Sequence, residues 1–154
     1  MLPVNHDFAV VMTQDCDLLR DFNRRHQGKS ESQPNILLCD AYYAASLRAK
    51  VQEDTPLSSK EWKVVTQNSS ERFQYLQRVE PVMDMQREGL PPLAMDFRNY
   101  FTVPTEELYH RLIPTIRRRA RLNTPYVEHL AQRFFKFHAR VALPVDHVIE
   151  TAQT

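Results

Sequence analysis

A chain with 2 glycines in 154 residues has almost no freedom to turn through positive φ, because glycine is the residue that enters that region without steric cost. Gly-rich tethers and phosphate-cradling Gly loops are all but excluded. The turns must instead be built from Asn, Asp, Ser and the 10 prolines, which preset φ or hydrogen-bond the local backbone. Apolar residues make up 42% and charged residues 25%. That is the balance of a chain that folds around a core, at the length of one ordinary domain.

No apolar run approaches the roughly 20 residues of a membrane-crossing helix. Met1-Leu-Pro-Val-Asn-His-Asp7 lacks the basic start and apolar stretch of a secretory signal. The expectation is a cytoplasmic chain with no membrane partner, in which Cys16 and Cys39 stay reduced. Net charge is +1 but unevenly spread. From His110 to Arg140 stand Arg111, Arg117, Arg118, Arg119, Arg121, Arg133, Lys136 and Arg140 against Glu128 alone, net +7, whereas residues 1–109 carry −4. An acidic front and a basic back predict a polar contact surface for DNA or RNA, or for an acidic protein.

Phe8–Met12 reads as a buried strand ending in Thr13-Gln-Asp-Cys-Asp17, and Arg20–Pro34 as a loop or frayed hairpin end. Asn35–Cys39 is a second strand, running into Asp40–Ala44 and a short helix over Ala45–Val51. Gln52–Ser59 reads as surface loop, Ser59–Trp62 as the start of one helical turn, Arg72–Leu76 as a half-buried strand and Gly89–Pro92 as a turn. Leu93–Val103 loses its alternation at Tyr100 and Phe101, which predicts one or two strands with a bulge or corner. Pro104-Thr-Glu-Glu107 starts a helix that should stop near Pro114, with a further helical piece over Thr115–Leu122. Thr124-Pro125 opens the clearest helix, with Thr124 as N-cap. Its stripe is Val127, Leu130, Phe134, Phe137 and Val141, and Pro144 ends it. The fold class is α+β: a small β-rich core over residues 1–104 and a helical basic section over 105–154, in one compact domain.

Asp15-Cys16-Asp17 is the most chemically loaded triplet. Asp15, Cys16, Asp17 and Cys39 are the residues nearest to a metal set, but there is no Cys-x-x-Cys and no His pair at helical spacing, so no metal and no cofactor is assigned. The blander reading packs Cys16 as a small hydrophobe. As a nucleophile it would need His6 or His26 nearby, and the flanking carboxylates oppose a thiolate. Asp96 and Arg98 share a strand face as an acid–base pair or an internal ion pair, and Arg72 beside Glu71 has the same two readings. Arg117, Arg118, Arg119 and Arg121, with Arg133 and Lys136, are the candidate contacts for phosphate or a protein partner, against a solvated helix face. Tyr126, Phe134 and Phe137 read as core by their spacing, which leaves Phe135, off the stripe, as a partner contact.

Two resemblances add to this. Thr13–Leu18, Arg118–Phe134 and Arg140–Pro144 resemble the signature of a family of small bacterial proteins without an assigned activity: a strand ending Thr/Ser-Gln-Asp-Cys-Asp-Leu/Ile, then Arg-Arg-x-Arg-Leu, Pro-Tyr-x-Glu-His-Leu-x-x-Arg-Phe and Arg-Val-Ala-Leu-Pro. Such proteins are associated with accessory and mobile-element gene clusters, including defence-type ones. More distantly, Phe8–Thr13, Asn35–Cys39 and Leu93–Leu108 are similar in order to strands of the SH3-like barrel of MazF/PemK toxins, which are ribonucleases. That likeness implies an SH3-like β-barrel core followed by C-terminal helices. It does not carry over the toxins' catalytic residues. Their arginine precedes the first strand, where seven residues stand here, and their Ser/Thr follows the next strand, where this chain has Asp40-Ala-Tyr-Tyr43. The shortened start suggests that a partner completes the sheet edge.

The function expected from these readings is a non-catalytic subunit of a bacterial multi-protein complex, of antiphage-defence type. It would bind another product of its operon, or nucleic acid, through the basic C-terminal surface. The alternative is a MazF/PemK-like or other nuclease using Asp15, Asp17, Asp96 and Arg98.

Overall fold

The computed structural model describes residues 5–49 and 55–139. The elements follow the order β1 (Phe8–Val11), α1 (Asp15–His26), β2 (Asn35–Tyr43), α2 (Ala44–Ala49), α3 (Ser59–Thr66), β3 (Phe73–Leu76), β4 (Leu93–Pro104), α4 (Thr105–Arg111) and α5 (Tyr126–His138). The fold is α+β. The strands form one antiparallel sheet in the order β1-β2-β4-β3. That sheet is open: β1 and β3 are its two edges and do not meet. The closed SH3-like barrel implied by the toxin resemblance is therefore not what the described residues form.

One face of the sheet, through Met12, Cys39, Ala41, Leu93, Met95 and Phe97, packs against Leu130 and Phe134 of α5. The other, through Phe73 and Ala94, packs against Ala44, Leu47 and Val65 of α2 and α3. Ser58 starts α3 as a capping box: its Oγ accepts from the Glu61 N–H, while the Glu61 carboxylate accepts from the Ser58 N–H. β4 carries the expected bulge. Cys39 faces Tyr100 and Ala41 faces Met95, so Asp96–Asn99 bow out opposite Asp40.

Three expectations are corrected. The stretch read as strand end and loop is the helix α1. It has Asp15 and Asp17 in its first turn and Arg24, Arg25 and His26 in its last, both complementing the helix dipole. Its buried residue is not apolar but Asp21, which accepts from Arg25 one turn on and from the N–H groups of Ser32 and Gln33. Gly28, at φ +66°, closes this helix. The Thr115–Leu122 helix is absent: Thr115 lies in a turn, Ile116 in an isolated bridge, and 117–123 has no regular secondary structure. Thr124 does not cap α5. Its Oγ1 donates to Glu128 at 2.9 Å, Pro125 takes the cap position, and the Thr124–Pro125 peptide is cis. Arg140, Val141 and Pro144, with the Arg140–Pro144 motif, lie outside the described residues.

The two sheet edges differ. The N–H of Phe73 donates to Ser70 Oγ and its carbonyl accepts from Arg133 at 3.0 Å. The Asn68 side-chain amide, held at φ +54°, accepts from the Tyr75 N–H at 2.7 Å and donates to the Tyr75 carbonyl at 3.2 Å. The outward backbone of β3 is thus closed by side chains.

Candidate functional site

The arginine run is organised by one buried carboxylate. Asp84 accepts from Arg119 at both oxygens, Nε at 3.0 Å and Nη2 at 2.7 Å, and from the N–H groups of Gln86, Glu88 and Gly89. Arg119 Nη2 also donates to the Gly89 carbonyl. Gly89 is required there: it sits at φ +77°, and a Cβ would lie 3.0 Å from the Val79 carbonyl oxygen. The Arg119 guanidinium, followed by the backbone N–H donors, holds the Asp84 carboxyl well below the usual carboxylate range although burial opposes it. The Met85 N–H donates to the Arg119 carbonyl, and Gln86 Nε2 to that of Arg118. With the Arg118 and Arg119 carbonyls taken by the 79–90 loop, they are not available to accept helical hydrogen bonds, and 117–123 forms no helix.

The basic candidates consequently separate. Arg119 points inward to Asp84, and Arg121 reaches Asp15 at 2.6 Å. Arg133 is half-buried and donates to Gln74 and to the Ser70 and Phe73 carbonyls, with its charge over the Phe97 ring. Burial pulls its pKa down. Arg117, Arg118, Lys136 and Phe135 remain exposed. Three of the basic candidates, Arg119, Arg121 and Arg133, are thus engaged within the chain. The clamped loop and the segment before the run also expose large apolar side chains: Val82, Met83 and Met85 on the former, Leu112 and Ile113 on the latter.

The residues considered for catalysis or metal do not converge. Asp15, Cys16 and Asp17 lie exposed at the start of α1, so Cys16 is not a packed hydrophobe. Cys39 is sealed between β1 and β4, and burial, then Asp40 and Asp96, push its thiol up to about 12. Asp96 pairs with Arg72 (Nε at 2.9 Å) rather than with the Arg98 side chain, whose backbone N–H donates to Asp96 Oδ1. Among the described residues no group of three or more His, Cys, Asp or Glu could hold a metal ion.

Sequence reasoning missed a different cluster. His6 Nδ1 lies 2.6 Å from Asp40 Oδ1, and its ring stacks on Phe101 with centroids 4.0 Å apart. Against a carboxylate acceptor Nδ1 is the donor, which leaves Nε2 for a second interaction. Nearby, Tyr42 accepts from Asn99 Nδ2 at 3.1 Å, and burial, then Asp40, raises the pKa of its hydroxyl. His6, Asp40 and Tyr42 border a cavity of about 220 Å³ that Ser46 also lines. His6 and Asp40 are 34 residues apart, and only the β1–β2 pairing brings them together. Comparison with known protein families, with curated proteins and with solved structures gives no match to this chain.

Proposed function

We propose that the chain is a non-catalytic subunit of a bacterial multi-protein complex, of accessory or antiphage-defence type. It holds a partner protein through the surface formed by residues 112–121 and the 79–90 loop. The observation that carries this reading is Ile113. It is 88% exposed and sits at φ +86°, a costly conformation for a β-branched residue. The bond from its N–H to the Ile116 carbonyl holds it there. Met83 and Met85 are likewise exposed, on the loop whose Met85 N–H and Gln86 side chain bond the Arg119 and Arg118 carbonyls, and methionine adapts to irregular partners. An apolar centre with a basic rim suits a protein segment carrying acidic and apolar residues better than a phosphate backbone, which favours a continuous basic track.

Co-purification of the tagged chain with its operon products is expected to recover a stoichiometric protein. Arg117→Glu/Arg118→Glu and Met83→Asp/Met85→Asp are each expected to cut that recovery about tenfold or more, with the melting temperature unchanged. Recovery that ignores both variants sinks the proposal. Binding lost steeply with salt and without a protein partner would indicate nucleic acid instead.

One observation favours a second reading, a nuclease. The His6–Asp40 pair has the base-and-orienter arrangement of general acid–base catalysis. RNA cleavage by the purified chain should then fall about a hundredfold or more in His6→Ala. Cleavage that survives this change, or none from the wild type, removes that reading.

A further inference from the structure

We infer that the chain self-associates through β1, two copies of Phe8–Val11 pairing antiparallel about a two-fold axis to join their sheets. The hydrogen-bond parity of β1 leaves two of its residues facing outward. The Met12 N–H donates to the Leu37 carbonyl, and in an antiparallel ladder bonded residues alternate. Phe8, Val10 and Met12 therefore turn their backbone groups toward β2, while Ala9 and Val11 turn theirs outward. Among the described residues nothing meets those outward groups, and both residues are exposed. β1 carries no lysine, proline or bulge, the usual devices that blunt an edge.

The opposite edge identifies the occupant as a second copy. Ser70, Asn68 and Arg133 occupy the outward backbone of β3, so β1 of one molecule has no β3 edge to add to in another. Head-to-tail stacking is blocked. Edge pairing between copies can only be β1 with β1, an isologous contact that closes at two. One register fits. With Val10 opposite Val10 of the second copy, Ala9 meets Val11 and Phe8 meets Met12, apolar against apolar on both faces, and Asp7 meets Thr13. Sliding the two-fold axis to Ala9 sets Asp7 against Val11. Sliding it to Val11 sets Asp7 toward Asp15, a like-charge approach. Phe8 and Val10 already pack with the core on the α5 side, so the contact continues an apolar layer.

Sedimentation of the purified full chain over a wide concentration range is expected to give twice the 18.1 kDa chain mass, with the Ala9 and Val11 amides protected from hydrogen exchange. Ala9→Pro and Val11→Pro delete outward N–H groups without touching the β1–β2 ladder. Each should weaken association at least about tenfold. Far-UV circular dichroism monitors the fold, and the milder Ala9→Lys keeps the test open if a proline variant misfolds. The dimer should survive Met83→Asp/Met85→Asp, which separates it from the partner surface. A monomer at every concentration, a dimer with unprotected Ala9 and Val11 amides, or association indifferent to the edge variants overturns the inference.

Discussion

Asp84→Ala lowers the melting temperature by about 10 °C or more, the cost of breaking a buried, hydrogen-bonded charge pair in a chain of this size. The change removes five hydrogen bonds at once: two from Arg119 and one each from the N–H groups of Gln86, Glu88 and Gly89. It also leaves a mostly covered guanidinium with only the Gly89 carbonyl and the Glu88 carboxylate as partners. Thermal unfolding measures this, and Arg119→Lys should fall between wild type and Asp84→Ala, because an ammonium cannot grip both carboxylate oxygens. Acid acts on the same group. The Asp84 carboxyl lies below its ordinary range in the fold. So does that of Asp21, where burial pushes up but the donors from Arg25, Gln33 and Ser32 together prevail. A carboxyl depressed in the fold contributes stability that is complete above its unfolded value and is lost as pH falls toward the folded one. The melting temperature should therefore decline below about pH 5, and less steeply in Asp84→Ala. An equal slope in the two proteins would show that Asp84 is not a main acid-sensitive contact.

Arg133→Ala combined with Asn68→Ala should convert a limited assembly into an open-ended one. Arg133 alone costs about 2–4 kcal/mol, since it leaves the Ser70 and Phe73 carbonyls unpaired and unpins α5 from β3. Asn68→Ala bares the outward N–H of Tyr75 and leaves its carbonyl only the Gln74 Nε2 donor. With β3 opened as well as β1, each molecule offers two pairing edges, the condition for fibres rather than closed oligomers. Light scattering and electron microscopy of the double variant should show large species under conditions where the wild type shows none. If the double variant stays as small as the wild type while remaining folded, the side chains on β3 are not what restrains it.

What was legible in the sequence were features whose cause is local. The apolar runs at Phe8 and Asn35, the broken alternation at Tyr100 and Phe101, and the spacing of Leu130, Phe134 and Phe137 each announce their element within a few residues. Features caused by a distant partner were misread. α1 reads as loop in the sequence because the residue it buries is Asp21, whose donors include the backbone of Ser32 and Gln33. Thr115–Leu122 reads as helix because nothing near it reveals Asp84, 35 residues from Arg119. Arg119 and Arg133 looked like surface charges for the same reason: a count of basic residues does not separate the guanidinium that closes a loop from the one that faces solvent. The His6–Asp40 pair had no sequence signal at all, since it exists only in the register of β1 on β2.

The two thiols live in different chemical worlds. Cys16 stands in water on the first turn of α1, while Cys39 has no accessible surface and a proton held far beyond neutral pH. A thiol reacts as its thiolate, so Cys39 is inert to alkylating and oxidising reagents for as long as the sheet stays closed. Its modification is then a clock on global opening, and that of Cys16 on nothing but reagent supply. The native chain thus carries one site for attaching a probe and, within the inner strand β2, a recorder of every time the fold comes apart.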